Sequence, residues 1–135
     1  MKKVFLDSDI ILDSLLERTG FYLPATNIIS LAYQNKLQVV TSAVAFVNVH
    51  YFVDKFDRAN KFTLLKGLRS IISILSVDES IIDFALKSGA NDFEDAVQYY
   101  TAVNAKCDVI ITRNIKDYKQ ATVPVLTAEQ FLKTL

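Results

Sequence analysis

The sequence is poor in several residue types: its 135 residues include one cysteine, one histidine, two prolines, three glycines and no tryptophan. A single cysteine excludes an intramolecular disulfide framework and a cysteine-rich zinc module. The lone His50 has no second imidazole with which to build a zinc site. The few glycines and prolines exclude collagen-like and low-complexity chains, and neither a dinucleotide-binding glycine motif nor a P-loop occurs.

Net charge is absent as well, because fifteen lysines and arginines balance fifteen acids. Overall charge therefore gives no sign of a nucleic-acid binder. The distribution is uneven: residues 55–69 hold five cations and one acid, whereas residues 78–95 hold six acids and one lysine. Such runs are often solvated faces, but a basic helix near an acidic pocket also suits a metal-dependent enzyme acting on an anionic polymer.

Long hydrophobic runs are missing. The apolar stretches are far shorter than the roughly 18 residues that cross a bilayer. After Met1 and two lysines the first apolar run has three residues, whereas a signal peptide has roughly 7–15 at this point. We therefore expect no membrane association and a cytoplasmic location.

What remains is the composition of a folded domain, with 51% hydrophobic and 22% charged residues. Short β-rich runs predict strands at 4–6, 37–41, 74–77, 108–112 and 124–126. Helices are predicted between them, and the expected first residues or caps include Ser42, Asp57, Asp78, Asn91 or Asp92, and Thr127. This alternation predicts a single α/β domain over 1–135, with a central parallel sheet of about four to five short strands and helices on both faces.

Polar residues follow two of these strands. Asp7 and Asp9 follow the first strand, and Arg113, Asn114 and Asp117 follow the strand at 108–112. The helix that precedes the latter strand opens with three further acids, which are Asp92, Glu94 and Asp95. If the two strands are neighbours, all these acids converge on one edge of the sheet.

Converging carboxylates repel one another, and a bound divalent cation removes that repulsion. Carboxylate oxygens suit Mg²⁺ or Mn²⁺, which can activate water and stabilise charge on a phosphate. Each acid alone is also an ordinary residue for the first turn of a helix. The prediction of a metal site rests on their combination.

Four segments together resemble the PIN-domain family. They are residues 4–13 (VFLDSDIILD), 92–102 (DFEDAVQYYTA), 110–118 (IITRNIKDY) and 124–132 (PVLTAEQFL). The first looks like the family's opening strand and aspartate, the second its acidic helix, the third its strand-end motif and the fourth its closing strand and helix. The resemblance covers nearly the whole chain in the right order.

PIN domains are Mg²⁺- or Mn²⁺-dependent ribonucleases, and many small bacterial members resemble the VapC toxins of toxin–antitoxin pairs. The resemblance implies an RNA substrate, a small antitoxin partner and a homodimer. It implies that Asp7 and Asp95 are metal ligands, with Asp117 or Asp92 assisting. Thr112 and Asn114 would orient water or phosphate, and Asp9 takes the place usually held by asparagine.

Two positions depart from the usual family pattern. The helix after the second strand usually carries a glutamate, and Asn48 fills that position here. The fourth acid, often aspartate, is Asn114. An amide can hold a metal or a water but brings no charge. A subgroup of the family has asparagine at the Asn48 position, so this departure does not by itself imply inactivity.

The resulting hypothesis is hydrolysis of RNA phosphodiester bonds, with Lys55, Arg58, Lys61 or Arg113 steering the RNA backbone. Arg113 could instead pair with an acid. One alternative is a non-catalytic PIN fold that binds RNA or protein, with Asn48 and Asn114 marking a lost site. A second is a haloacid-dehalogenase-like phosphatase using Asp7 and Asp9, although residues 10–11 do not match that family's pattern.

Overall fold

The computed structural model describes residues 1–118 and 122–135. The strands of this part of the chain are β1 (Lys3–Leu6), β2 (Gln38–Ser42), β3 (Ser73–Leu75), β4 (Val109–Ile111) and β5 (Val125–Leu126). The α-helices are α1 (Ser8–Leu15), α2 (Tyr22–Tyr33), α3 (Ala43–Phe56), α4 (Lys61–Ile71), α5 (Glu79–Lys87), α6 (Phe93–Asn104) and α7 (Ala128–Leu132). A 3₁₀ helix, Ile115–Tyr118, follows β4.

The strands form one parallel sheet in the order β3-β2-β1-β4-β5. In the pairing of β1 with β4, Leu6 lies opposite Ile111. The predicted α/β fold with a parallel sheet of four to five short strands is confirmed. The prediction that β1 and β4 are neighbours is also confirmed, and it places the residues that follow these strands side by side.

Helices cover both faces of the sheet because successive side chains of each strand point to opposite sides. Val4 and Leu6 of β1 pack with buried residues of α1, α2, α3, α4 and α7. Phe5, between them, packs on the other face with Ala102 of α6. Helix α5 packs against α6 in a smaller apolar cluster. The core therefore lies on both sides of the central strands.

Most predicted helix starts are confirmed by side-chain caps. Ser42, Asp78, Asp92 and Thr127 each accept a backbone N–H from the first turn of the helix that follows. Asp57 is an exception. Its carboxylate instead accepts both the backbone N–H and the side-chain amide of Asn60, at 3.2 and 3.0 Å.

Two local predictions need correction, and one further element was missed. The helix predicted from Asp57 begins at Lys61, because the Asp57–Asn60 bonds close a turn there. The strand predicted at 74–77 lies at Ser73–Leu75. The 3₁₀ helix Ile115–Tyr118 was not predicted at all.

Within the described ranges, no helix is both long and apolar enough to cross a bilayer.

Candidate active site

Asp7 lies at the point where β1 ends, and its carboxylate is 5% exposed. Oδ1 accepts the backbone N–H of Ser8 at 2.8 Å. Oδ2 accepts the hydroxyls of Thr112, at 3.0 Å, and Tyr118, at 3.2 Å. Burial raises the pKa of Asp7 and outweighs these hydrogen bonds, which favour its charged form. Three groups therefore fix the orientation of an acid that resists ionisation.

Thr112 links the ends of β1 and β4. Its side chain is fully buried, donates to Asp7 and accepts the backbone N–H of Asn114 at 3.1 Å. Asn114 is exposed and lies two residues after Thr112, to which its backbone N–H is bonded. The structure therefore places Thr112 against Asp7 as the group that orients its carboxylate, and Asn114 is tied to Thr112 through its backbone N–H.

Tyr118 is a site residue that the sequence analysis missed. The 3₁₀ helix after β4 turns its ring inwards, where it is 6% exposed. Burial and the nearby charges of Asp7 and Asp95 raise the pKa of Tyr118, so its hydroxyl stays protonated and donates to Asp7. The sequence signal was only a tyrosine after Asp117, and one residue of that type is not distinctive.

The start of α6 supplies the second group of acids. Asp92 caps the helix by accepting the backbone N–H of Asp95 at 2.9 Å. Burial and, in decreasing order, the charges of Asp92, Asp7, Asp117 and Glu94 together raise the pKa of Asp95 to about 7. The structure thus brings Asp7, Asp92, Asp95 and Asp117 close enough for their charges to interact.

Glu94 belongs to the same cluster, although the sequence analysis gave it no role beyond the acidic start of α6. Its Oε1 accepts the side-chain amide of Asn48 at 2.6 Å. Burial raises the pKa of Glu94, and so do the charges of Asp7 and Asp92. A carboxylate from α6 therefore lies beside the α3 position where the family usually has a glutamate. Only the packing of α3 against α6 reveals this, since Asn48 and Glu94 are 46 residues apart.

Asp9 and Arg113 make structural contacts behind this cluster. Oδ2 of Asp9 accepts the backbone N–H of Arg113 at 3.1 Å. Burial and the charge of Asp7 raise the pKa of Asp9 to about 6. The guanidinium of Arg113 donates to Oδ1 of Asp13 at 3.0 Å and lies 4.0 Å from the centre of the Phe21 ring. These contacts agree with the expectation that Arg113 pairs with an acid.

Asp13, on α1, is another residue that the sequence analysis missed. Its carboxylate is 1% exposed, and it also pairs with Arg18 at 3.6 Å. Two arginines thus converge on one buried acid, and this acid holds Arg113, the residue that follows Thr112. The arrangement joins two segments 100 residues apart, so spacing in the sequence gives no indication of it.

The other predicted RNA-steering cations lie elsewhere. Lys55 is seven positions beyond Asn48 on α3, which is about 10 Å along the helix axis, and its ammonium lies 4.4 Å from the Tyr51 ring centre. Arg58 and Lys61 both pair with Asp54, at 3.3 and 2.8 Å. The structure does not bring these three cations into the acidic cluster.

The donor set fits a hard divalent cation. Every side chain that meets at this edge offers oxygen or amide groups. The carboxylates of Asp7, Glu94 and Asp95, whose pKa values are raised, would be stabilised by a positive charge. As the side chains stand, no three acidic, histidine or cysteine groups in residues 1–118 and 122–135 have the spacing of a metal site. Asp92, Glu94 and Asp117 face solvent, where side chains can change rotamer when a cation binds.

A protein-family model described as the PIN domain matches residues 3–116. The chain belongs to the PIN domain family. The resemblance to the PIN-domain family is therefore confirmed, although the fourth segment, residues 124–132, lies outside the matched range, and the haloacid-dehalogenase alternative is excluded. The edge formed by β1, β4 and α6 is the part of this PIN domain where its acids meet.

Relatives of this PIN domain cover nearly its whole length. Ribonuclease VapC1 of Aquifex aeolicus (strain VF5) is 27% identical over 135 residues, an alignment that covers 96% of this chain and 93% of the relative. VapBC-1 from nontypeable Haemophilus influenzae matches with a TM-score of 0.70 at 16% identity, over 94% of this chain and 98% of that chain. A toxin–antitoxin complex from Klebsiella pneumoniae matches with a TM-score of 0.69 at 22% identity, over 93% and 97% of the two chains. The structural matches show a shared fold.

Proposed function

We propose that this PIN domain is a metal-dependent endoribonuclease that hydrolyses phosphodiester bonds in RNA, and that it is the toxin of a bacterial toxin–antitoxin pair. The convergence of Asp7, Asp92, Asp95 and Asp117 on one sheet edge carries the proposal. The relative named as a ribonuclease, which aligns over nearly the full length, supports it. The fold shared with a toxin–antitoxin complex supports the toxin assignment.

In this proposal Asp7 and Asp95 hold Mg²⁺ or Mn²⁺, and Asp92 and Asp117 assist directly or through water. Glu94 adds the charge that Asn48 does not bring. When bound, the cation lowers the pKa of water and neutralises charge on the phosphate. The hydroxyls of Thr112 and Tyr118 fix the Asp7 carboxylate, so the ligand is oriented before the cation arrives.

RNA binding in this proposal depends on the residues at the surface around the β1–β4 edge. Asn114 is exposed and its backbone N–H is bonded to Thr112, and in this proposal its side-chain amide hydrogen-bonds a phosphate oxygen or a water. Lys55 is exposed and stays a candidate for steering RNA from a distance. Arg58 and Lys61 share Asp54, and Arg113 is held by Asp13, so we assign these three a weaker part in RNA binding.

A small antitoxin, a homodimer and a cytoplasmic location belong to the same proposal. The fold shared with VapBC-1 and with the toxin–antitoxin complex favours an antitoxin. An apolar surface on α3 that includes Val47, Tyr51, Phe52 and Phe56 gives a partner chain a place to pack.

The experiment is cleavage of a panel of labelled single-stranded RNAs by the purified protein, in EDTA, Mg²⁺ or Mn²⁺. Asp7→Asn and Asp95→Asn are compared with Asp83→Asn, which makes the same chemical change at an exposed position on α5. We expect cleavage only with metal, a loss of more than about 100-fold in the first two variants, and wild-type rates in Asp83→Asn.

Cleavage that persists equally in Asp7→Asn and Asp95→Asn would contradict the assignment of these ligands. A folded protein that cleaves no RNA with either metal would favour the alternative of a non-catalytic PIN fold that binds RNA or protein. The uncharged Asn48 and Asn114 are the observation that keeps this alternative open.

A further inference from the structure

A cavity of about 390 Å³ opens beside the acidic cluster. It lies between the connection from α5 to α6, the first turns of α6 and the 3₁₀ helix, and Asp95 and Tyr118 form part of its wall. This volume falls in the lower part of the range of about 300–1,000 Å³ that is usual for small-molecule sites. The cavity is therefore continuous with the proposed cleavage centre and large enough for one flat ligand group.

Two further tyrosines line the cavity, and both are held in place. The rings of Tyr99 and Tyr100 meet edge to face, with centroids 5.1 Å apart and an angle of 76° between them. Tyr100 also stacks on Phe84 at 5.7 Å, and the hydroxyl of Tyr99 pairs with Thr122 at 3.1 Å. Aromatic walls that are fixed before binding lose little conformational entropy when a flat ring enters.

The charged residues around the cavity restrict which part of a nucleotide can enter. Asp92, Asp95 and Asp117 line it, with Lys116 as the cation in the described part of the wall. These acids also belong to the cluster proposed to hold the divalent cation, so a phosphate would be held there only through the cation, and without it the three carboxylates repel a phosphate group. Carboxylate oxygens that the cation leaves free accept hydrogen bonds from the N–H groups of a base and the hydroxyls of a ribose. The lining therefore favours a base with its sugar in the rest of the cavity.

We propose that this cavity binds one unpaired base of a single-stranded RNA, in the nucleotide next to the scissile phosphate. The inference rests on the proposed ribonuclease function and identifies the base as the part of the substrate that the cavity binds. Aromatic side chains beside a charged groove are a general means of binding single-stranded nucleic acid. Lys116, at the rim, is placed to contact the phosphate of the adjoining nucleotide.

The test is a titration of the ¹⁵N-labelled protein in Mg²⁺ with AMP, GMP, CMP and UMP, followed by NMR. Monophosphates contain no phosphodiester bond, so they are not consumed. Ribose 5-phosphate is the control that lacks a base. We expect saturable shifts in the amides of residues 88–100 and 116–118 with at least one nucleotide, and binding at least about tenfold weaker for ribose 5-phosphate.

Tyr99→Leu and Tyr100→Leu should weaken that binding by about 5- to 10-fold, and Tyr99→Phe, which keeps the ring, should bind within about twofold of the wild type. Unchanged amide shifts elsewhere show that each variant is folded, and the two leucine variants test the cavity separately. The proposal fails if no nucleotide gives saturable shifts in this region, or if ribose 5-phosphate binds equally well. Loss of the base site in a protein that still cleaves RNA overturns this inference alone, and base binding without cleavage overturns the proposed function alone.

Discussion

At the scale of single residues, the carboxylates at the β1–β4 edge lie in an environment that resists their charge. Burial raises the pKa of Asp7, of Asp9 to about 6 and of Asp95 to about 7. The folded protein therefore holds protons on these groups more tightly than the unfolded chain does. In the absence of a cation, this contribution stabilises the fold at low pH and is lost as pH rises from about 4 to about 7.

The pH dependence of stability follows from that shift. In EDTA we expect the free energy of unfolding to fall between pH 5 and pH 8, and Asp95→Asn to reduce the fall by roughly 1–2 kcal/mol. Asp95 is only partly buried, so screening by solvent keeps the effect below the value that the full pKa shift would give. Urea denaturation at the two pH values measures it.

Magnesium and a matched variant provide the controls for this pH effect. Mg²⁺ at pH 8 should restore stability in the wild type and have less effect in Asp95→Asn. Asp83→Asn should behave like the wild type. A free energy of unfolding of the wild type in EDTA that rises between pH 5 and pH 8 would contradict the prediction that these carboxylates destabilise the fold when they ionise.

Asp13 provides a second prediction at the residue scale. Replacing it with alanine leaves Arg18 and Arg113 without the buried acid that they share. Because both arginine side chains are 32% exposed, we expect Asp13→Ala to lower the free energy of unfolding by about 1–3 kcal/mol, less than breaking a fully buried pair. Asp54→Ala, which removes a surface partner of Arg58 and Lys61, should have little effect. Equal losses in the two variants, measured by urea denaturation, would contradict the structural role of Asp13.

At the scale of helices and strands, the sequence predicts the features that depend on residues close together in the chain. The β-rich runs predict a parallel sheet, and the caps Ser42 and Asp92 predict where α3 and α6 begin. The 3₁₀ helix that delivers Tyr118 was missed because its four residues are too short for a periodic pattern. The contact between Asn48 and Glu94 was missed because it depends on how α3 packs against α6.

The hydrogen bond from Thr112 to Asp7 leads to a prediction about how β4 supports β1. Thr112→Val keeps the shape of the side chain and removes the donor, so Asp7 loses one of the groups that orient it. We expect RNA cleavage and Mn²⁺ affinity to fall by about 10- to 100-fold. Thr112→Ser keeps the hydroxyl and should stay within about threefold of the wild type. Equal activity in the valine and serine variants would show that this bond does not support the site.

At the scale of the whole molecule, the fold unites acids that are far apart in the chain. Asp7 follows the first strand, and Asp95 lies near the start of α6, yet their charges interact at one sheet edge. The sequence alone predicted this convergence conditionally, on β1 and β4 being neighbours, and the strand order supplies the condition. The sequence did not predict the buried Asp13–Arg113 pair behind the site or the tyrosine-lined cavity beside it, because both require the three-dimensional packing.

Calorimetric titration of the protein with Mn²⁺ at pH 7.5 tests directly whether Asp7 and Asp95 are metal ligands. We expect saturable binding in the wild type and in Asp83→Asn, and a loss of more than about tenfold in affinity in both Asp7→Asn and Asp95→Asn. Equal Mn²⁺ affinity in all four proteins would contradict this expectation, because the carboxylates that meet at the β1–β4 edge would then not be the metal ligands.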